Sequence, residues 1–192
     1  DCDCLQRKCE QSGKQRQQTQ YGYGNRQFEN TDSLFLKKRR VIDKGNTEVV
    51  AEYIKEMTGA DVFRIMPDKE YEKIQDYDEL VELTRIEHEN DERPTFNGKI
   101  NDIGKYDTIF IGSPIWWYTF PQVMYTFLDS YDLNGKTIIP FTTHEGSGLA
   151  DVVEVLRKYY PNATVAEGLA IRGRDAVKSK EKVVRWLEKT GF

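Results

Sequence analysis

The sequence predicts one α/β domain built on a parallel sheet, and three observations indicate this class. Beyond Lys44, short apolar runs alternate with helix-like segments, which is the pattern of successive strand–helix–strand units. The run 108–111 is apolar after its first residue, as in a strand covered on both faces. The length of 192 residues suits a single domain. We therefore expect a doubly wound sheet with one core.

The N-terminal segment differs in composition from the rest. Residues 1–33 are rich in Gln, Arg, Gly and Asn and have neither a strand nor a helix period. We interpret them as a disordered or non-native segment and place the domain at residues 34–192. The only cysteines are Cys2, Cys4 and Cys9, so the body has no disulfide framework and no thiolate metal site. This cysteine usage is compatible with a reducing compartment.

Periodicity and boundary residues predict five helices and four strands after residue 44. The predicted helices span residues 46–58, 76–89, 121–131, 149–160 and 178–189. The predicted strands span residues 61–66, 108–111, 137–141 and 164–171. Asn46 and Thr47 are good helix caps, Gly59 ends the first helix, and Pro67 stops the first of these strands. The charged stretch 68–93 is predicted to be a solvated flank.

Charge and hydropathy exclude two classes of function. Residues 45–192 hold 18 Lys/Arg against 26 Asp/Glu, which disfavours general binding of nucleic acid because phosphates need clustered cations. The basic run 37–40 alone is better interpreted as solvated. No apolar run approaches the roughly 18 residues of a membrane span, and the start does not resemble a signal peptide. We expect a cytoplasmic protein with neither nucleic acid nor membrane as partner.

Three loops at strand ends carry the candidate chemistry, since ligands of doubly wound sheets sit beyond the carboxyl ends of the strands. Gly45-Asn46-Thr47 opens a helix whose free N–H groups favour a phosphate, although the triplet alone is more typical of an ordinary helix cap. Ser113 to Tyr118 places Trp116 and Trp117 just past a buried strand. Their rings can stack on a planar conjugated ligand, or pack under a helix or at a dimer contact.

The third loop, Thr142 to Gly148, combines glycines with hydroxyl and amide donors and suits the polar edge of a ring. His144 lies in this loop, and its role is left open between a surface histidine and a proton-transfer group.

These residues together resemble the flavodoxin family, in particular its bacterial flavodoxin-like branch. The stretch Tyr106 to Trp117, Tyr-Asp-Thr-Ile-Phe-Ile-Gly-Ser-Pro-Ile-Trp-Trp, carries the resemblance most specifically. It continues through Phe120-Pro121, Tyr131-Asp132-Leu133, Thr143 to Gly148 and Gly168 to Gly173, and covers about residues 41–192. The resemblance implies a flavodoxin-like three-layer sandwich with a five-stranded parallel sheet of order 2-1-3-4-5, bound FMN and electron transfer through the flavin.

The resemblance also implies which residues bind the cofactor. By the family pattern the first loop meets the FMN phosphate, the second flanks the ring and ribityl chain, and the third lines the polar edge of the ring. The implied cofactor-binding residues are Gly45, Asn46, Thr47, Ser113, Pro114, Ile115, Trp116, Trp117, Thr143, His144, Gly146, Ser147 and Gly148. No catalytic residue and no metal ligand is assigned.

The first strand departs from the family pattern. Only Leu34-Phe35-Leu36 qualifies as an apolar strand before the first loop, and Lys37 to Arg40 follow at once, where a central strand would bury unpaired charges at a cost of several kcal/mol. Either a short strand feeds a basic loop, or the chain before about Val41 is not part of the native domain. We favour the second hypothesis, and resequencing the start of the gene tests it.

Two classes of function follow. The first is an FMN protein in electron transfer, either a carrier or an NAD(P)H-dependent quinone or flavin-type reductase, whose partner is a redox protein or a small-molecule acceptor. No Gly-x-Gly-x-x-Gly follows any strand, which disfavours a second stable nucleotide site. The alternative is a flavin-free scaffold or binding protein with the same fold. A homodimer and a monomer both stay open.

Overall fold

The computed structural model describes residues 44–69, 71–74 and 76–192. The helices are α1 Asn46–Thr58, α2 Tyr77–Glu89, α3 Gln122–Ser130, α4 Val152–Tyr159 and α5 Lys180–Thr190. The strands are β1 Met66–Pro67, β2 Phe96–Asn97, β3 Thr108–Pro114, β4 Thr137–His144, β5 Thr164–Val165 and β6 Leu169–Arg172. Short 3-10 turns cover Tyr71–Lys73, Ile103–Lys105 and Gly173–Lys178.

The main sheet is parallel and centred on β4. Strand β3 pairs with β4 along its whole length, from Thr108 opposite Thr137 to Pro114 opposite Thr143. On its other side β4 pairs first with β5 and then with β6, both parallel. The outer strand predicted at 164–171 is therefore present in two pieces, interrupted at 166–168. Gly168 lies in this interruption, and a Cβ built on it would be 2.8 Å from the side chain of Leu149.

Helices cover both faces of this sheet, as the strand pattern predicts. On β4, Ile138 faces a cluster with helices α3 and α4, whereas Ile139 and Phe141 face a cluster with α1 and α5. This alternation follows from the two-residue period of a strand. In the first helix, Val50 and Ile54 are the buried positions, one turn apart, and Gly59 closes the helix with a φ of 70°. The α/β prediction and the three layers are confirmed.

The strand predicted at residues 61–66 is wrong for most of its length. Only Met66–Pro67 forms a strand, and it pairs antiparallel with Phe96–Asn97 instead of joining the main sheet. The side chains still alternate, since Phe63 and Ile65 pack against the core while Val62 is exposed. Alternation therefore reports a half-buried extended segment, but it does not show that a neighbouring strand supplies hydrogen bonds.

The predicted sheet order 2-1-3-4-5 is seen in part. Its 3-4-5 portion corresponds to β3, β4 and the outer strand that is divided into β5 and β6. The candidate first strand at Leu34 to Leu36, the basic run 37–40 and the segment 1–33 lie outside the described residues.

Among the described residues, every helix is too short or too polar to cross a bilayer.

Candidate functional site

The three predicted loops meet at one residue, Thr143, near the end of β4. Its hydroxyl lies 2.6 Å from the hydroxyl of Thr47 in the first loop. Its carbonyl accepts a 3.0 Å hydrogen bond from the backbone N–H of Ile115 in the second loop. Thr143 itself belongs to the third loop as predicted, and it is buried. The structure thus brings one residue of each loop into direct contact.

The first loop leaves the start of α1 open to a ligand. Gly45 is the N-cap, with extended backbone, and no side-chain hydrogen bond caps the helix at this position. The first N–H groups of a helix have no intrahelical acceptors and, with the helix dipole, they attract anions. A Cβ on Gly45 would meet nothing within 4 Å, so the described residues leave open space beside this position.

The second loop is a tight turn with an unusual backbone. Trp116 and Thr119 exchange two backbone hydrogen bonds of 3.0 Å, and the two residues between them, Trp117 and Tyr118, have φ values of 52° and 62°. Residues other than glycine adopt this left-handed region at a cost, and such costs concentrate at functional sites. The turn leaves Tyr118 exposed at the tip of the loop.

The third loop is closed on itself by Thr142, whose hydroxyl donates to the carbonyl of Gly148 at 2.9 Å. Arg172, at the end of β6, donates to the carbonyl of Glu145 at 3.2 Å and also pairs with its carboxylate at 3.6 Å. The closure fixes the loop between its strand and α4.

Glu145 reaches toward the first loop. A Cβ on Gly173 would lie 2.5 Å from the Glu145 carboxylate and 2.7 Å from the Asn46 amide nitrogen. The absence of a side chain at Gly173 leaves room for the ends of these two side chains, one from the third loop and one from the first.

Burial controls the charge states in this corner of the site. Desolvation, with the nearby cations Arg172 and Lys182, lowers the pKa of His144. Desolvation raises the pKa of Glu145, although Arg172 opposes this shift. The His144 Nδ1 atom is buried and has no hydrogen-bond partner in the described part of the chain. A neutral imidazole with one unpaired nitrogen can accept or donate one hydrogen bond to a polar ring edge.

The donor set fits FMN in kind. The uncapped start of α1 and the Thr47 hydroxyl match a phosphate. The turn of the second loop, Trp116 to Thr119, here called the aromatic turn, offers flat faces, and the third loop offers an unpaired nitrogen at His144. The phosphate, the flat ring and the polar ring edge of FMN each need a different kind of chemical group, and each of the three loops supplies one of these groups.

Several predicted loop residues belong to strands instead. Ser113 and Pro114 are the last two residues of β3, and Thr143 and His144 are the last two of β4. The strands run longer than their apolar cores because Ser113 and Thr142 are fully buried and keep the ladder hydrogen bonds of the sheet. The prediction of which residues converge is unaffected, since the strand ends lie side by side.

The sequence missed four residues that hold the aromatic turn. Thr84 and Glu87 of α2 are buried, with exposures of 4% and 2%, although the stretch 68–93 was predicted to be solvated. Trp117 donates through Nε1 to the Thr84 hydroxyl at 3.2 Å. Tyr71 donates to the Glu87 carboxylate, which also pairs with Lys69. In a helix with so many charged residues, the spacing of Thr84 and Glu87, about one turn apart, was the only feature of the sequence that could have indicated their burial.

A parallel sheet with polar and aromatic loops at its carboxyl edge places this chain in the doubly wound α/β class, whose ligands bind outside that edge. Comparison with known families gives a match to the sequence model described as flavodoxin, over residues 41–190. The chain belongs to the flavodoxin family. No curated protein matches it in sequence.

Solved structures agree with this assignment. A protein from Bacteroides uniformis ATCC 8492 assigned as a flavoprotein is 30% identical, with a TM-score of 0.65, covering 74% of this chain and 90% of that one. A similarly assigned protein from Bacteroides eggerthii DSM 20697 is 29% identical, with a TM-score of 0.62, covering 76% and 90%. A Lactobacillus acidophilus NCFM flavoprotein in complex with FMN shares the fold at 20% identity and a TM-score of 0.53, covering 70% and 90%.

Proposed function

We propose that this chain binds FMN at the carboxyl edge of β3 and β4 and serves in electron transfer. The observation that carries the proposal is the convergence of the three loops on Thr143, which contacts Thr47 through its hydroxyl and Ile115 through its carbonyl. The uncapped start of α1 then meets the phosphate, the turn at Trp116 covers the ring, and the third loop meets the polar ring edge. Membership of the flavodoxin family and an FMN complex of a distant structural relative support this assignment.

When bound, the flavin supplies a centre that takes up and releases electrons. The residues of this chain bind and orient it. The N–H groups at the start of α1 and the Thr47 hydroxyl hold the dianionic phosphate. Desolvation lowers the pKa of His144, which favours the neutral imidazole as a hydrogen-bonding group.

Titration with FMN and with riboflavin tests the proposal. We expect FMN to bind at least about tenfold more tightly than riboflavin, because only FMN carries the phosphate that the start of α1 and Thr47 bind. Flavin fluorescence and absorbance measure both affinities. Failure to bind FMN would overturn the proposal and favour the flavin-free scaffold, and equal affinities would overturn the phosphate assignment.

A substitution at Thr47 sharpens this test. Thr47→Val removes one phosphate donor while keeping the shape of the side chain, so FMN affinity should fall by about three- to tenfold. Riboflavin affinity should stay within about twofold, because riboflavin lacks the phosphate. An equal loss for both ligands would show that Thr47 acts only through its contact with Thr143.

The FMN-loaded protein can be either a carrier or an NAD(P)H-dependent reductase of a quinone or similar acceptor. Anaerobic mixing with NADH or NADPH separates the two. A reductase bleaches the bound flavin within seconds, whereas a carrier is reduced only by a redox partner protein. We expect the carrier outcome, since no dinucleotide fingerprint follows a strand of this sequence.

A further inference from the structure

Helix α2 carries two polar side chains that are almost completely buried, one in contact with Trp117 of the aromatic turn and one linked to Trp116 through Tyr71. Thr84 and Glu87 are 4% and 2% exposed. They are three residues apart and so lie on one face of the helix. The rest of α2 is typical of a solvated helix, with Glu82 and Glu89 exposed and paired with Arg85. A buried carboxylate on such a helix is unfavourable unless its partners are specific, so its partners are informative.

The first contact holds Trp117. The Thr84 hydroxyl donates to the carbonyls of Leu80 and Val81, at 3.0 and 3.1 Å, which directs its acceptor side away from the helix backbone. Trp117 donates to that oxygen through Nε1 at 3.2 Å. The polar edge of this indole is thereby attached to α2.

The second contact holds Trp116 indirectly. The Tyr71 hydroxyl lies 3.0 Å from both oxygens of the Glu87 carboxylate, and Lys69 neutralises that carboxylate at 2.6 Å. The ring of Tyr71 stands at 88° to the ring of Trp116, with 5.7 Å between their centroids. Because the tyrosine is fixed at its hydroxyl end, its ring limits the tilt of Trp116.

We propose that Glu87 acting through Tyr71, and Thr84 acting through Trp117, are positioning residues that present Trp116 to the flavin. The inference rests on the proposed FMN function. In this arrangement α2 selects between the two indoles: Trp117 is held on the helix, and Trp116 is left to stack on the ring at an angle that Tyr71 sets. Preorganisation of this kind removes the entropy cost of ordering a loop when the ligand binds.

Two tryptophan variants test the selection of the indole. Trp116→Phe should lose most of the quenching of bound FMN fluorescence, whereas Trp117→Phe should retain it and lose affinity to about the same extent as Thr84→Val. Both are compared at saturating FMN, so that weaker binding does not imitate lost quenching. Loss of quenching in Trp117→Phe with retention in Trp116→Phe would overturn the selection.

Two matched variants on α2 test the positioning by Glu87. Glu87→Gln removes the charge that holds Tyr71 and should raise the Kd for FMN by about tenfold, as expected for loss of one charge-assisted hydrogen bond. Glu82→Gln breaks a carboxylate pair with Arg85 on the exposed part of the same helix and should leave the Kd within about twofold of wild type. Adding Tyr71→Phe to Glu87→Gln should raise the Kd little further, since both substitutions weaken the same hydrogen bond between Tyr71 and Glu87.

A structural role alone would not change the properties of the bound flavin. Glu87→Gln should therefore also shift the midpoint potential and the visible absorption band of the fully loaded protein, and Glu82→Gln should shift neither. In the apo protein, Glu87→Gln should change the near-ultraviolet circular dichroism of the tryptophans, and Glu82→Gln should not.

The outcomes separate the two proposals. A wild-type protein that binds no FMN overturns the proposed function and this inference with it. A wild-type protein that binds FMN, while Glu87→Gln matches Glu82→Gln in Kd, potential and circular dichroism, overturns this inference alone.

Discussion

At the scale of single residues, the aromatic turn places a bulky side chain where glycine would be most stable. Tyr118 has a φ of 62°, and the residue is 55% exposed, so the backbone conformation costs free energy that side-chain packing recovers only in part. The conformation persists because Trp116 and Thr119 close the turn from both sides.

Tyr118→Gly and Tyr118→Ala separate the backbone effect from loss of the ring. Both remove the side chain, but only glycine adopts a positive φ without a steric penalty. We expect Tyr118→Gly to be more stable than Tyr118→Ala by about 1 kcal/mol in the free energy of unfolding. Urea denaturation measures both, and an alanine variant as stable as the glycine variant would show that the turn relaxes to a negative φ.

The half-buried His144 gives the apo protein a defined response to acid. Desolvation holds the pKa of His144 below its usual 6.5 in the folded state. Between the folded pKa and 6.5 the unfolded chain binds more protons, so stability rises with pH through this window and is complete above it. Glu145 has the opposite effect, because its pKa is raised in the folded state. Above pH 4.5 the folded chain therefore binds more protons at this carboxyl than the unfolded chain, and stability falls as the pH rises through the folded pKa.

His144→Gln isolates the histidine contribution. The variant should lose less stability than wild type when the pH is lowered from 7.5 to 5.5, as measured by urea unfolding at each pH. Glu145 is present in both proteins, so its contribution largely cancels. An identical loss in the two proteins would mean that His144 is solvated in solution.

At the scale of elements, the β3–β4 pair depends on a glycine in contact with an aromatic ring. Gly112 of β3 lies opposite Phe141 of β4, and a Cβ at position 112 would be 2.0 Å from that ring. Phe141 is 3% exposed and packs between β4 and the helices α1 and α5. The ring therefore has no free space into which to move.

We expect Gly112→Ala to destabilise the protein by roughly 1–3 kcal/mol, the usual cost of overpacking a core. Gly146→Ala is the control, since a Cβ there would meet nothing within 4 Å. Thermal or urea unfolding measures both variants. Adding Phe141→Leu should recover part of the loss in Gly112→Ala, and no recovery would contradict the assigned contact.

The same elements show what the sequence could predict. Apolar residues in the runs 108–111 and 137–141, followed by Gly or by polar residues, predict the two buried strands, because such runs are characteristic of parallel sheets. The site was predicted through the loops after these strands. Helix α2 was placed correctly at residues 76–89, but its contribution to the site was missed, because burial of Thr84 and Glu87 depends on a turn distant in sequence.

The segment after α1 shows that alternation of apolar and polar residues is not enough to predict a strand. Its alternation was a true signal of half-burial, with Phe63 and Ile65 against the core, yet most of it forms no strand. Strand formation requires a neighbour with free backbone groups, and periodicity within one segment carries no information about the neighbour.

At the scale of the whole molecule, the net charge opposes the proposed ligand. The chain has a net charge of −4, and its residues 45–192 carry an excess of eight acidic groups, whereas the phosphate of FMN is dianionic. Attraction at the start of α1 acts only over the last few ångströms, but repulsion by the domain acts over the Debye length, roughly 30 Å at 0.01 M salt and 10 Å at 0.1 M.

FMN should therefore associate faster as salt is raised from about 0.01 to 0.1 M, because screening removes the long-range repulsion first. Stopped-flow fluorescence quenching measures the association rate constant. Riboflavin is uncharged and should show little change, which controls for effects of salt on the protein. A rate for FMN that falls with salt would mean that the site itself presents a positive field beyond one Debye length.

The position of Thr143 has a consequence for engineering the protein. The first loop contacts this residue through its hydroxyl and the second through its carbonyl, so neither of these two loops relies on the other for its anchor. Either of them, or the third loop beyond residue 143, can therefore be exchanged for a loop of another length or chemistry, provided that residue 143 and its two contacts are kept. A library for flavin analogues would vary the aromatic turn or the third loop separately and leave this one threonine constant.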